Sequence, residues 1–277
     1  MNEKQAKSLL ETRHIIFISL FLIILMTMLL GFRPKINISS ETQRMYDYID
    51  SLPSGSVIIV SFDHEASSLP EIRPIALAVL RHAFSKDLKL IGTALLAEGT
   101  GVGYRLITET AKEYNKIYGK DYVYLGFKPQ YIAAILSMGE SIADTYPEDY
   151  LDKPYYENVM LKDVKNYDDI AGVVSIADGS LTTHWIEYGA SRYNIRVTAA
   201  VTAAMVTTYD PYLASNQLYA MFGGLRGAAE YEKLIGIGAA GKRGMLAQSV
   251  SHIYIIILII IGNIVYFVNR RKRLGGN

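Results

Sequence analysis

Two short stretches of this chain gather the side chains best suited to chemistry. Asp63-His64-Glu65 directly follows the apolar run Val57-Ile-Ile-Val-Ser-Phe62, and Asp178, Ser180 and His184 directly follow a second run, Ala171-Gly-Val-Val-Ser-Ile176. Carboxylates beside imidazole can bind a divalent metal or act as acid and base. These six residues are therefore the candidates for a ligand or metal site. The same residue types have a plainer use, because an Asp at a strand exit commonly caps the loop or helix that follows. Which use applies depends first on whether the two stretches meet in space.

The pattern around them predicts that they do. Both runs are nearly uninterrupted apolar segments, as expected of strands buried on both faces. Before the first, Ser40 caps a helix carrying the stripe Met45, Ile49 and Leu52, which Pro53-Ser-Gly55 ends. After it the chain alternates: helix 70–84 with Ile72, Ile75, Val79 and Ala83 on one face, strand 88–95, helix 104–118, strand 122–125 and helix 129–138. Residues 139–169, rich in Tyr, Asp and Pro, have no clear period and read as a long irregular crossover. Strand 171–176, helix 183–193, strand 195–201, a candidate sixth strand at 218–222 and helix 225–235 follow. Repeated β-α-β units predict an α/β, Rossmann-like, mostly parallel sheet with flanking helices. The long crossover returns the chain to the middle, giving the order 3-2-1-4-5. Such sheets bind ligands outside the carboxyl ends of the strands at the switch point, here between strands one and four. Asp63 and Asp178 are expected in one crevice there, with His64 or His184 nearby.

Glycine-rich segments are weaker signals. Gly223-Gly224-Leu-Arg226-Gly227 opens a helix with an arginine beside free amides, so Gly224, Arg226 and Gly227 form a candidate anion site. Gly99-Thr-Gly101-Val-Gly103 follows the second strand and is not G-x-G-x-x-G, so it reads as a tight turn with close helix packing rather than a dinucleotide fingerprint. Gly236-Ile-Gly-Ala-Ala-Gly241-Lys242 fits most of a P-loop, but Arg243 stands where Ser or Thr must hold magnesium; Gly236 to Gly244 reads as a basic linker. Gly139-Glu-Ser141-Ile-Ala143 lacks the second glycine of a nucleophile elbow. Asn37-Ile-Ser39 is a glycosylation sequon, relevant only in a host with that machinery.

Two uncharged apolar segments, 15–32 and 250–268, bracket all of this. Each approaches the roughly 20 helical residues that cross a bilayer core. The first lacks an A-x-A-like cleavage pattern and reads as an uncleaved anchor. Basic residues near spans stay in the cytoplasm, and Arg270-Arg271-Lys272-Arg273 outweighs Arg33, Lys35, Lys242 and Arg243. The expected topology is a cytoplasmic tail 1–14, a span 15–32, an extracytoplasmic α/β domain 33–249, a span 250–268 and a cytoplasmic basic tail 269–277. In the second span Asn263 is expected either to hydrogen-bond the first span near Ser19 or Thr27, or a second copy of itself, or to sit close enough to the inner headgroups to be hydrated.

Composition adds bounds. A net charge of +1 offers no electrostatic attraction for nucleic acid. With no cysteine, disulfides and Cys-ligated zinc are excluded, so the outer domain must hold through its core. Many of the 21 tyrosines are expected at surfaces or subunit contacts. Together these predict a double-pass protein of the cell membrane, with the lipid bilayer and other copies of itself as partners. Its outer domain would bind a ligand or act as a scaffold. The alternative is a membrane-tethered hydrolase or transferase using Asp63, His64, Asp178 and His184, with a divalent metal as the conceivable cofactor.

Overall fold

A computed structural model describes residues 3–29, 35–237 and 240–274. They form two compact units, one the segment Ile36–Gly241 and the other the two terminal helices.

In chain order the elements are α1 (Glu3–Leu29), α2 (Ser40–Ser51), β1 (Val57–Asp63), α3 (Leu69–Ser85), β2 (Lys89–Ala94), α4 (Gly99–Glu113), β3 (Tyr122–Phe127), α5 (Tyr131–Glu140) and α6 (Ile142–Thr145). After the crossover come β4 (Gly172–Ala177), α7 (Leu181–His184), a π-helical turn (Trp185–Ala190), α8 (Ser191–Tyr193), β5 (Val197–Val201), α9 (Ala203–Ala214), β6 (Ala220–Gly223), α10 (Gly224–Leu234) and α11 (Ala240–Leu274). The sheet has six strands in the order β3-β2-β1-β4-β5-β6, all paired in parallel. The expected α/β fold and strand order stand, extended by the sixth strand.

The strands are buried on both faces, so alternate residues feed two cores. Ile58, Val60 and Phe62 pack with α2, α3, α4 and α10, through Met45, Ile72, Ile107 and Tyr231 among others. Ile59 belongs to the opposite core with α5, the π turn and α9, through Ile135, Trp185 and Tyr209. Helices after β1 and β2 thus lie on one face and those after β3 and β4 on the other. That divergence between β1 and β4 is the switch point. The register sets Asp63 opposite Ala177.

Several local expectations are corrected. The Gly99–Gly103 segment is not a turn before a helix but the first turn of α4 itself. Sequence alternation passed over α9 (Ala203–Ala214), whose Pro211 reads as a breaker, although Met205, Val206, Tyr209, Tyr212 and Leu213 form a helical stripe on the core of which only Tyr209 is fully buried. The basic linker is helical from Ala240, where the Gly241 amide donates to the Glu232 carboxylate at 3.0 Å; residues 238–239 lie outside the described residues.

Thirteen of the 21 tyrosines are half-buried or exposed, and eight are buried. Tyr48, Tyr124, Tyr155, Tyr167 and Tyr209 are buried. Their hydroxyls donate to the carbonyls of Ala171, Thr100, Val164, Ile135 and Gly179. A buried phenol needs such a partner; the Ala171, Val164 and Gly179 carbonyls lie in connecting segments, while those of Thr100 and Ile135 lie in α4 and α5. This is how a crossover without regular structure is pinned. Asp149 does the same work, accepting the Leu151 and Lys153 amides at 2.8 and 3.1 Å and the Asn158 side-chain amide at 3.0 Å.

The last turns of α10 hold both chain exits of the domain. Glu230 accepts from the Ser39 amide at 2.9 Å and its hydroxyl at 2.6 Å, Lys233 donates to the Ile36 carbonyl at 2.9 Å, and Glu232 holds Gly241. α10 begins where β6 ends, at the carboxyl edge, so both exits lie toward the opposite edge of the sheet from the switch point.

Between α2, α3 and α10, His82 is buried at 2% exposure. It stacks on Tyr46 with centroids 4.5 Å apart. Its Nδ1 meets the Tyr231 hydroxyl at 2.8 Å and its Nε2 lies 3.5 Å from Asp50, which also pairs with Lys86 at 3.2 Å. Burial lowers the His82 pKa from its ordinary 6.5, outweighing the Asp50 carboxylate that raises it; Lys86 adds a further lowering. A lowered folded value means the fold prefers neutral imidazole. Its contribution to stability is complete above the ordinary value and is lost as pH falls toward the lowered one. Urea unfolding from about pH 8 to about pH 5 should therefore show a falling midpoint below pH 6.5, a dependence that H82F reduces. Equal slopes in the two proteins would assign the loss to other groups.

Candidate functional site

β1 and β4 end side by side, and the residues beyond them meet as the topology requires. The Asp178 Oδ2 accepts the Glu65 amide at 2.8 Å. From the β2–α4 connection, the Glu98 Oε2 accepts the Ala66 amide at 3.1 Å. The loop leaving β1 is thus held from both sides by carboxylates bound to its backbone. In a phosphate-binding β-α turn those amides would face the ligand. Here they face the protein's own anions, with the Glu65 side chain exposed beside them.

Asp63 sits beneath this edge at 1% exposure. It lies on the β1 face that also carries Ile59 and Ser61, turned toward the core of α5 and the π turn. Four donors converge on it. Oδ1 accepts the Leu95 amide at 2.9 Å and the Ser61 hydroxyl at 2.8 Å, while Oδ2 accepts the Trp185 indole N–H at 3.1 Å and the Ser175 hydroxyl at 3.4 Å. Ser175 in turn meets Thr182 at 2.9 Å. Burial raises the Asp63 pKa, and the bonds from Leu95, Ser61 and Trp185 only partly offset it. Asp63 ties β1, β2, β4 and the π turn together. The pairing of Asp63 with Ala177 sets it at the end of β1 beside the exit of β4, and its four donors all come from the chain itself.

The two histidines do not join the aspartates by hydrogen bonds among the described residues. His64 is completely buried, and its Nδ1 lies 3.1 Å from the Glu65 carbonyl. A carbonyl only accepts, so Nδ1 is the donor in that contact. The His64 Nε2 is buried without a partner. His184 stacks between Tyr131, at 4.5 Å, and Tyr188, at 6.1 Å, and its Nδ1 is also buried without a partner. Ser180 is exposed at the start of α7. Among the described residues no three His, Asp or Glu side chains gather closely enough to hold a metal ion.

The anion expectation at Gly224, Arg226 and Gly227 meets a different arrangement. Arg226 is turned to Glu230 one helical turn on, at 2.8 Å. The Glu71 Oε1, which accepts the Ala203 amide at 2.8 Å, lies only 3.3 Å from where a Cβ on Gly224 would stand. Gly224 has φ +70, which explains its identity by backbone conformation. Gly227 packs on Phe222, 3.1 Å from its Cβ position. A carboxylate of the chain itself stands beside this helix start, and the arginine is paired.

Sequence reading missed Trp185, Glu98 and Glu71, which decide how the edge is used. The π turn at Trp185–Ala190 has no period signal of its own. Such turns are rare and frequent at functional sites; this one brings the indole to Asp63. Compared with protein-family models, with curated proteins and with solved structures, the chain matches none.

Proposed function

We propose that this chain is a double-pass protein of the cell membrane with both termini in the cytoplasm, whose α/β domain stands outside as a non-catalytic assembly module at the membrane surface. Two helices are long and apolar enough to cross a bilayer, over Glu11–Leu29 and Gly241–Arg271. The basic cluster from Arg270 to Arg273 supports the inward placement of the C-terminus. One observation carries the preference for assembly over catalysis. The carboxylates at the switch point are engaged by the protein itself, Asp63 by four donors and Asp178 and Glu98 by loop amides.

A second reading keeps a ligand or divalent metal at the same edge. It is favoured by the buried, unpartnered imidazole nitrogens of His64 and His184, since a buried polar atom without a partner is an unmet demand.

The experiment has three readouts on the full chain. Protease added to intact cells should cut tags placed in the α/β domain and spare tags on the two tails; the reverse pattern inverts the topology. Light scattering in detergent should give a particle larger than one chain; a monomer overturns the assembly reading. Divalent metals should leave the melting temperature unchanged, whereas a saturable rise transfers support to the second reading.

A further inference from the structure

We propose that the outward face of α11 around Asn263 docks a second copy of this chain, helix against helix within the bilayer, through paired Asn263 amides. The inference rests on the membrane-spanning assembly reading above and supplies its contact.

The two terminal helices already pack on each other. The Ser19 and Tyr254 hydroxyls are hydrogen-bonded, and the Tyr254 hydroxyl also reaches the Ile16 carbonyl at 3.4 Å. Half-buried positions recur at 16, 19, 20, 23, 24 and 27 in α1 and, beyond the continuously half-buried 244–248, at 250, 251, 254 and 258 in α11. That spacing of three and four marks one stripe on each helix. Asn263 stands nine residues after Tyr254, and at about 100° per residue it faces about 180° away from the first helix.

Asn263 is exposed, and its Nδ2 donates to the Ile259 carbonyl of its own helix at 2.9 Å. Both partners the sequence offered in α1 are engaged elsewhere, Ser19 with Tyr254 and Thr27 with the Ile23 carbonyl at 2.7 Å. An amide has two N–H donors and an accepting oxygen, so one N–H and Oδ1 remain. The uncharged stretch between Arg243 and Arg270 is centred near Ile256 and Ile257. Asn263 therefore lies about 10 Å from the middle of a core about 30 Å thick, inside it. Lipid offers that amide no partner. A second copy does, because an amide is complementary to itself: across a two-fold axis each Asn263 donates to and accepts from the other. Ser249 and His252 share the same exposed face, with Ile256, Ile259 and Phe267 between and beyond them. Gly262 at its flank has nothing within 4 Å of its Cβ position, so a neighbouring backbone can come close.

The absence of native cysteine makes the test direct. Single-cysteine variants of the full chain, in lipid vesicles, are oxidised with copper–phenanthroline. Disulfide-linked dimers are expected for I256C, I259C and F267C and not for L258C, I261C and V265C. By energy transfer between labelled copies, N263L should weaken association about threefold to tenfold while N263Q retains it. Cross-linking all round the helix, or unchanged association in N263L, overturns this contact while leaving assembly through the outer domain standing. A wild-type chain that never self-associates, or that alkaline carbonate strips from the vesicles, overturns the assembly reading itself.

Discussion

Replacing Asp63 with Asn should destabilise the α/β domain by about 2–4 kcal/mol, although the two side chains have nearly the same shape. Both oxygens accept from N–H groups that cannot reverse, the Leu95 amide on Oδ1 and the Trp185 indole on Oδ2. An Asn must turn its NH2 toward one of them, so two donors face each other in a site with 1% exposure. The serine hydroxyls can rotate and relieve nothing at those two positions. The clash has a specific remedy. In a W185F background the amide can turn its NH2 toward the vacated side, so D63N should cost less there than in the wild type, a coupling that a double-mutant cycle measures. Urea unfolding followed by circular dichroism reads all four proteins. A pH dependence should accompany it. Burial raises the Asp63 pKa, so its contribution is complete below the ordinary carboxylate value and is lost as pH rises through the raised one. D63N removes that dependence. If D63N instead folds with wild-type stability, Asp63 is free for ligand and the case for an internal strut fails.

From sequence Asp63 reads as a candidate for a ligand or metal site rather than as an internal strut. Asp63 and Asp178 could be brought together from sequence because two facts sufficed: two apolar runs of strand length, and a crossover too long for anything but a return to the middle of the sheet. Both are one-dimensional signals. What the carboxylates do was not legible, because it depends on partners far away in the chain. The indole of Trp185 follows Asp63 by 122 positions and the Leu95 amide by 32, and neither belongs to a motif. The same limit applies to Glu98 and Glu71, which look like surface acids in sequence and act as caps on amides of other loops. α9 was illegible for a different reason. Its stripe Met205, Val206, Tyr209, Tyr212 and Leu213 is mostly half-buried and is interrupted by Pro211, which in a sequence signals a helix end. Asn263 lies between these cases: its oddity in an aliphatic span is plain in sequence, while its direction needed Tyr254 as a reference.

The glycines of the Gly99-Thr-Gly-Val-Gly103 segment should respond with opposite signs, and G99A should be among the most damaging single-methyl changes in the domain. A Cβ at Gly99 would stand 2.0 Å from the Phe62 carbonyl oxygen and 3.0 Å from its carbon. That oxygen belongs to β1, which is paired on both sides, to β2 and to β4, so it cannot yield as a side chain would. α4 would have to lift off the sheet, breaking the contact that Gly103 makes with the Phe62 ring, 2.6 Å from its own Cβ position. A loss of about 3 kcal/mol or more is expected, beyond the usual range for overpacking. Gly101 has nothing within 4 Å of its Cβ position. It lies inside the helix, so G101A should gain up to about 1 kcal/mol from helix propensity alone. A phosphate-binding reading of the three glycines makes a different demand, since there each glycine serves backbone approach to the ligand and G101A would not be beneficial to a ligand-stabilised fold. Thermal unfolding of the two variants therefore separates packing from binding. A destabilised G101A beside a tolerated G99A would mean that α4 does not rest on Phe62, and would favour anion binding by this segment.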